Sequence, residues 1–368
     1  MNKPTYDSGL EGVVAGETRV STIDDGLRYR GYAVEELADR TTFEEVAYLL
    51  LHGQRATPAE SAAFRERLGA AASLPAEVTR TLESLPATTN SMDAMRTGTS
   101  LLAHWDPDTQ ATDPAANLRK SERLLAQLPL VMAVDHHRRF GTRMFPARPE
   151  LSLAANLLWM LGGQEPTAEH VRAMDVSLIL YAEHELNAST FTARVVTSTG
   201  ADLHSAITAA IGALKGPLHG GANERVLEVL QQVGTPENAE VWVRDALARK
   251  VRIMGFGHRV YKTGDPRARY LKPLCEQLAR TEEYRQMERT SAVIEEAVVR
   301  EKRLPPNLDW PSARLYYYLG LPVELYTPLF VISRVTGWSA HVMEQCENNR
   351  IIRPRSVYTG EPARSWQL

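Results

Sequence analysis

Apolar residues recur at helical spacing through almost the whole of this chain, and that pattern confines it to a mainly α-helical fold. In FEEVAYLLLHG, Phe43, Val46, Ala47 and Leu50 follow the i, i+3, i+4, i+7 spacing, and Gly53 supplies a stop. Ala- and Leu-rich stretches of the same kind predict helices over residues 59–72, 87–105, 117–139, 150–161, 168–186, 205–214, 224–233, 239–250, 268–280, 282–302, 313–319 and 328–348, most of them separated by Pro or Gly. Strand-like alternation is confined to the start, where TRVSTI and LRYRGY flank Asp24-Asp25-Gly26 and read as a tight hairpin. No repeat of solenoid period and no low-complexity segment interrupts the series.

With 368 residues the chain exceeds one small core and suits two lobes. Its formal charge of -3 provides no field that draws in nucleic acid or an anionic membrane, so an anionic ligand must be held by local basic side chains. Cys275 and Cys346 are too few for a disulfide framework, which suits a reducing compartment. The first residues, MNKPTYDSGLEGVVAGE, carry no apolar signal core. The most apolar runs fall short of the roughly 20 residues needed to span a bilayer. A cytoplasmic protein is expected.

Three segments combine glycine, histidine and charge beyond what a helical core requires. In Lys215-Gly-Pro-Leu-His219-Gly-Gly-Ala-Asn223, His219 falls just before a predicted helix, whose positive end disfavours imidazolium and leaves a neutral, hydrogen-bond-donating ring. Gly220 and Gly221 would let a substrate approach the backbone. A glycine-rich turn with an incidental capping histidine has the same local sequence. The second segment, Gly255-Phe-Gly-His258-Arg-Val-Tyr-Lys-Thr-Gly-Asp-Pro-Arg267, gathers His258, Arg259, Lys262 and Arg267 in a loop suited to carboxylate or phosphate oxygens, although a basic surface loop is the plain alternative. Its glycine spacing is not that of a nucleotide-binding loop. In the third, Pro305-Pro-Asn-Leu-Asp309-Trp-Pro-Ser312, Asp309 is either a base with proton affinity raised by its apolar surroundings or the N-cap of a helix starting near Ser312.

Metal binding is not expected. Glu183-His184-Glu185 lacks a second histidine four residues on, and His136 and His137 are neighbours on different helix faces. Arg334 sits in the otherwise apolar ISRVTGWSAHVM, where an unpaired guanidinium is costly and calls for an anionic partner. Histidines, a candidate base, arginines and no metal together suit proton abstraction beside a carbonyl and handling of a di- or tricarboxylate. They do not name the substrate.

Four stretches, LEGVVAGETRVSTIDDGLRYRGY, ALKGPLHGGANE, GFGHRVYKTGDPRAR and PLFVISRVTGWSAHVMEQCENNRIIRPRSVYTG, closely resemble the citrate synthase family, and the resemblance covers essentially the whole chain. It is similar in length to the short dimeric bacterial and archaeal type. The resemblance implies an all-α fold with a small N-terminal β-hairpin, a large domain of residues 1–220 and 327–368, and a small domain of residues 221–326. It implies an acyltransferase that condenses acetyl-CoA with oxaloacetate and water to give citrate and CoA, the first step of the tricarboxylic acid cycle, with no tightly bound cofactor and with coenzyme A as part of substrate and product.

Carried over residue by residue, His219, His258 and Asp309 match the catalytic trio: Asp309 deprotonates the thioester methyl, His219 donates to the enolic oxygen, and His258 polarises the ketone. His184, Arg267 and Arg334 match oxaloacetate-binding positions, and Arg353 an arginine lent across a homodimer. Gly255, Phe256, Gly257 and Lys302 match the CoA-binding region. Two departures stand out. Tyr181 occupies a position where relatives commonly carry histidine, one turn before His184, and Asn90-Ser91-Met92-Asp93 replaces HPMD. The nearest alternative is 2-methylcitrate synthase, which takes propionyl-CoA; one methylene is worth about 1–3 kcal/mol in an apolar pocket. An inactive helical scaffold is a third reading, disfavoured by the intact trio.

Overall fold

Local chemistry sets the helix ends. Thr42 and Thr57 each accept a backbone N–H three residues on while Glu45 and Glu60 reach back to the capping backbone, so α2 (Phe43–His52) and α3 (Pro58–Ala71) open on capping boxes. Asp113, Ser152, Thr167 and Asp202 cap α6 (Pro114–Phe140), α7 (Leu153–Gly162), α8 (Ala168–Tyr181) and α10 (Leu203–Leu214). The computed structural model describes residues 8–10, 12–258, 260, 261 and 263–366. The other helices are α1 (Val34–Arg40), α4 (Ala76–Glu83), α5 (Ser91–Leu102), α9 (Ala188–Ser198), α11 (Ala222–Val233), α12 (Pro236–Ala248), α13 (Ala268–Leu278), α14 (Glu282–Lys302), α15 (Asp309–Tyr318) and α16 (Tyr326–Glu347).

The fold is therefore mainly helical, as expected, with corrections at the edges. The hairpin is present as β1 (Ser21–Thr22) against β2 (Arg28–Tyr29), but β3 (Tyr32–Ala33) extends it to a three-stranded antiparallel sheet. The helix expected over 87–105 starts at Ser91, because Asn90 caps it by accepting the Met92 N–H. That over 168–186 stops at Tyr181. Helices α4 and α9 were not anticipated.

Helix α16 forms the centre. It is apolar on nearly every face, as a fully surrounded helix must be, and packs against α2, α6, α8, α9 and α10. Leu329, Val331, Ile332, Val335 and Trp338 are all buried, each worth about 1.5–3 kcal/mol for the aliphatic residues. Helices α11 to α15 pack chiefly on one another, through the α12–α14, α13–α15 and α11–α15 pairs, and touch the rest through α8 and α16. No helix among the described residues is long and apolar enough to cross a membrane.

Candidate active site

The cleft begins where α8 ends. Between Tyr181 and α9 the chain makes a turn in which Glu185 adopts φ 50°, an unfavourable left-handed conformation for a residue with a Cβ. The N-terminal sheet holds that turn. Ser21 Oγ donates to Glu183 Oε1 (2.9 Å) and accepts from the Glu185 N–H (3.1 Å), while Tyr29 Oη lies 3.0 Å from the Glu183 carbonyl. His341, on α16, meets the same Glu183 oxygen at 2.9 Å. His184 is thereby fixed in a buried position with Nε2 3.1 Å from Tyr261 Oη. Burial, and then the charges of Arg267 and Arg334, push its pKa well below the usual histidine value, so the ring is neutral.

His219 lies in the turn between α10 and α11. Its Nε2 accepts the backbone N–H of Ser189 (3.2 Å) and stands 2.7 Å from Ser189 Oγ. Ser189 belongs to the first turn of α9, so the helix end that meets this ring is that of α9 and not, as the sequence suggested, that of the following helix. Burial first, and the Arg334 charge second, lower its pKa to about 4. With Nε2 accepting, the ring proton sits on Nδ1. The glycines beside it serve the chain itself: a Cβ on Gly220 would lie 2.3 Å from the Leu214 carbonyl oxygen, and Gly221 has φ 74°. Lys215, at the start of the turn, is tied to Asp93 of α5 (2.7 Å).

Asp309 is the first residue of α15, not the cap of a later helix, and its side chain caps nothing. Its Oδ1 accepts a hydrogen bond from Tyr181 Oη (2.9 Å), which also lies 2.8 Å from Ser312 Oγ. Burial raises the Asp309 pKa, against the opposing pull of the Tyr181 hydrogen bond and the Arg267 charge. The segment ahead of it is zipped to the second glycine loop. Gly257 N–H donates to the Pro305 carbonyl (2.8 Å), Asn307 N–H to the Gly255 carbonyl (2.9 Å), and Asn307 Nδ2 to the Gly257 carbonyl (2.9 Å). Phe256 packs on Trp310, with ring centroids 4.5 Å apart. Gly255–Gly257, expected at a CoA contact, are thus first of all the clamp that carries Asp309.

In the same loop His258 Nδ1 accepts from the N–H groups of Val260 and Tyr261 (3.1 and 3.3 Å), which leaves the proton for Nε2. Its ring stacks on Tyr261 and lies 5.2 Å from that of His184. Arg259 and Lys262 lie outside the described residues. Arg267 is buried and forked onto Asp265 (2.9 and 2.8 Å), whose second oxygen also accepts the Leu308 N–H. Burial opposes the guanidinium charge, and Asp265 more than offsets it, raising the pKa. Arg334 is equally buried but has no carboxylate in ion-pair range among the described residues. Its Nε donates to the Tyr181 carbonyl (2.7 Å), and its guanidinium lies over Phe330 at 4.6 Å. Burial lowers its pKa to about 10, which keeps it charged at neutral pH.

Phe330 joins the parts: its ring is 4.7 Å from Tyr181 and 6.4 Å from His219. Tyr181, His184, His219, His258, Arg267, Asp309 and Arg334 are therefore linked into one cluster. Lys302, at the exposed end of α14, and Arg353, exposed in the segment after α16, touch none of them in this chain. Sequence reasoning passed over Ser189, Tyr261, Asp265 and Phe330. The pattern Asp265-Pro-Arg267 was the only available signal for one of these. No group of three or more His, Cys, Asp or Glu among the described residues could hold a metal ion.

A carboxylate of raised proton affinity, two imidazoles with opposite nitrogens pinned, and a buried guanidinium without a direct ion pair among the described residues are equipped to deprotonate a weak carbon acid and hold the developing oxyanion beside a bound carboxylate. Comparison with known proteins gives the family. The model of the citrate synthase C-terminal domain matches residues 9–355. The chain belongs to the citrate synthase family. Citrate synthase 2 of Bacillus subtilis is 46% identical over 97% of this chain and 96% of its own length. The 2-methylcitrate synthase of Shewanella oneidensis is 44% identical over 97% and 96%. Citrate synthase of Thermoplasma acidophilum, solved as a ternary complex with carboxymethyl coenzyme A and oxaloacetate, superposes with a TM-score of 0.94 at 33% identity over 99% of both chains.

Proposed function

We propose that this member of the citrate synthase family condenses acetyl-CoA with oxaloacetate, and that water then hydrolyses the citryl-CoA intermediate to citrate and CoA. The observation that carries the reading is Asp309, a half-buried, desolvated carboxylate of raised pKa grouped with two histidines that each have one nitrogen held by backbone N–H groups. In this reading Asp309 takes the proton from the thioester methyl, His219 donates through Nδ1–H to the enolic oxygen, and His258 donates through Nε2–H to the ketone of oxaloacetate. A dry cleft strengthens each of these contacts.

His184, Arg267 and Arg334 bind oxaloacetate, a role supported by the buried Arg334 charge, which has no direct ion pair among the described residues. Gly255, Phe256, Gly257 and Lys302 contact CoA. Arg353 completes the site of a second copy in a homodimer, for which its exposure in this chain leaves it available. The close mutual packing of α11 to α15 supports a small domain over residues 221–326 that closes on oxaloacetate before the acyl-CoA enters.

A second reading, propionyl-CoA giving 2-methylcitrate in the cytoplasm instead of a cycle intermediate, is favoured by the near-equal identity to the Shewanella oneidensis enzyme. Thiol release with oxaloacetate plus either thioester tests both. Turnover with at least one, abolished in Asp309→Ala and crippled in Arg353→Ala without loss of the dimer, is the expected result. No release with either thioester sinks the enzyme reading; a propionyl-CoA preference moves the product to 2-methylcitrate.

A further inference from the structure

Tyr181 stands one turn before His184, but its hydroxyl meets Asp309 and Ser312 and makes no hydrogen bond to His184. Its hydroxyl reaches from the end of α8 to Asp309 Oδ1 at 2.9 Å, across 128 residues of sequence. Ser312 Oγ abuts the same phenol at 2.8 Å from the next turn of α15, and the phenol ring is fixed edge-on by Phe330. The second oxygen of the carboxyl, Oδ2, has no hydrogen bond among the described residues, and it is not one of the sealed, unpartnered polar atoms.

We propose that Tyr181 is the positioning residue of the base: its O–H holds Oδ1 of Asp309, fixes the carboxyl plane and leaves Oδ2 as the atom that takes the substrate proton. Toward Asp309 the phenol is a donor, since burial, and then the Asp309 charge, raise its pKa well above the usual tyrosine value, and its oxygen accepts from the Ser312 hydroxyl. A donor to the carboxylate favours its ionised form. It therefore restrains the rise in proton affinity that burial imposes on Asp309, which keeps the base ionised while the cleft stays dry. The other groups acting on Asp309 are accounted for. Arg267 favours its charge from the loop before α13 and Asp265 opposes it. Tyr316 on α15 is turned to Ser177 (2.7 Å), and Cys275 on α13 donates to the Pro311 carbonyl. Helix α11 meets α15 through a stripe that includes the buried Val226, Leu227 and Leu230.

The inference rests on the proposed condensation, so its test includes one readout that needs no turnover. In the full-length enzyme, Tyr181→Phe should lower kcat about tenfold or more, the effect of removing one hydrogen bond to a charged group, with KM for oxaloacetate within about twofold. It should also move the acid limb of the kcat–pH profile to higher pH. Replacing Tyr181 with 3-fluorotyrosine, a stronger donor, should move that limb the other way. Isotope-edited infrared titration of the Asp309 carboxyl, identified by its absence in Asp309→Asn, should shift in the same two directions without substrate. Superimposable profiles and titrations in the three proteins overturn the proposal, as does a change confined to the oxaloacetate KM. A wild type that releases no CoA overturns the condensation alone, and the infrared titration then decides on Tyr181 by itself.

Discussion

Arg267 and Arg334 are both buried in one cleft and both expected to meet oxaloacetate, yet the molecule treats them in opposite ways. Arg267 is forked onto Asp265, and the same carboxylate receives the Leu308 N–H, so its charge is already balanced and built into the loop that carries Asp309. Arg334 has one backbone carbonyl and the face of Phe330. The buried Glu183 carboxylate acts on it only at a distance, so a further anion brought beside it would relieve part of the cost of its burial. The loop side holds its arginine in a direct ion pair; the side formed by helix ends holds Arg334 without one among the described residues.

The comparison can be broken by separating stability from activity. Arg267→Leu and Asp265→Asn should each cost about 3–5 kcal/mol of stability, because each strands a buried partner. The double variant Arg267→Leu/Asp265→Leu should recover most of it in denaturant unfolding, and no recovery would mean that the pair does more than neutralise itself. Arg334→Leu should leave the melting temperature unchanged or higher, while kcat/KM for oxaloacetate falls by about thirtyfold or more, the equivalent of at least ~2 kcal/mol. A large loss of stability instead would show that Arg334 has a structural partner after all.

The most gradual effect concerns His219. Its folded pKa of about 4 lies below the usual histidine value, so between about pH 6.5 and 4 the unfolded chain binds a proton that the folded chain refuses. Stability should fall across that window as pH decreases, by up to about 1.4 kcal/mol per pH unit from this ring. His219→Asn should flatten the slope, and an unchanged slope would mark the ring as solvated and the helix-end side as wet.

Much of this site was legible because its chemistry is dense in sequence. His219, His258, Asp309 and Arg334 stand out locally, each as a polar group set among glycines, prolines or apolar helix residues. What escaped notice depends on long-range meetings or weak local signals. Helix α9, ASTFTARVVTS, is rich in Thr and Val, whose χ1 restriction weakens the helical signal, and only its packing against α10 and α16 makes it a helix. That omission hid Ser189, and with it the backbone N–H that fixes which nitrogen of His219 carries the proton. Tyr181 was noticed for its identity, but its pairing with Asp309 cannot be read from positions so far apart. The glycines were noticed for the room they might give a ligand, whereas Gly220 is required by a backbone carbonyl of the chain itself.

The bonding between residues 255–257 and 305–308 has a mechanical meaning. His258 follows directly on one strand of that zip, and Asp309 follows on the other. Any motion of this zip thus carries Asp309 and His258 together, like two jaws cut from one casting. Their mutual alignment is fixed within the zip, while Tyr181 and His219 reach toward them from other elements of the fold.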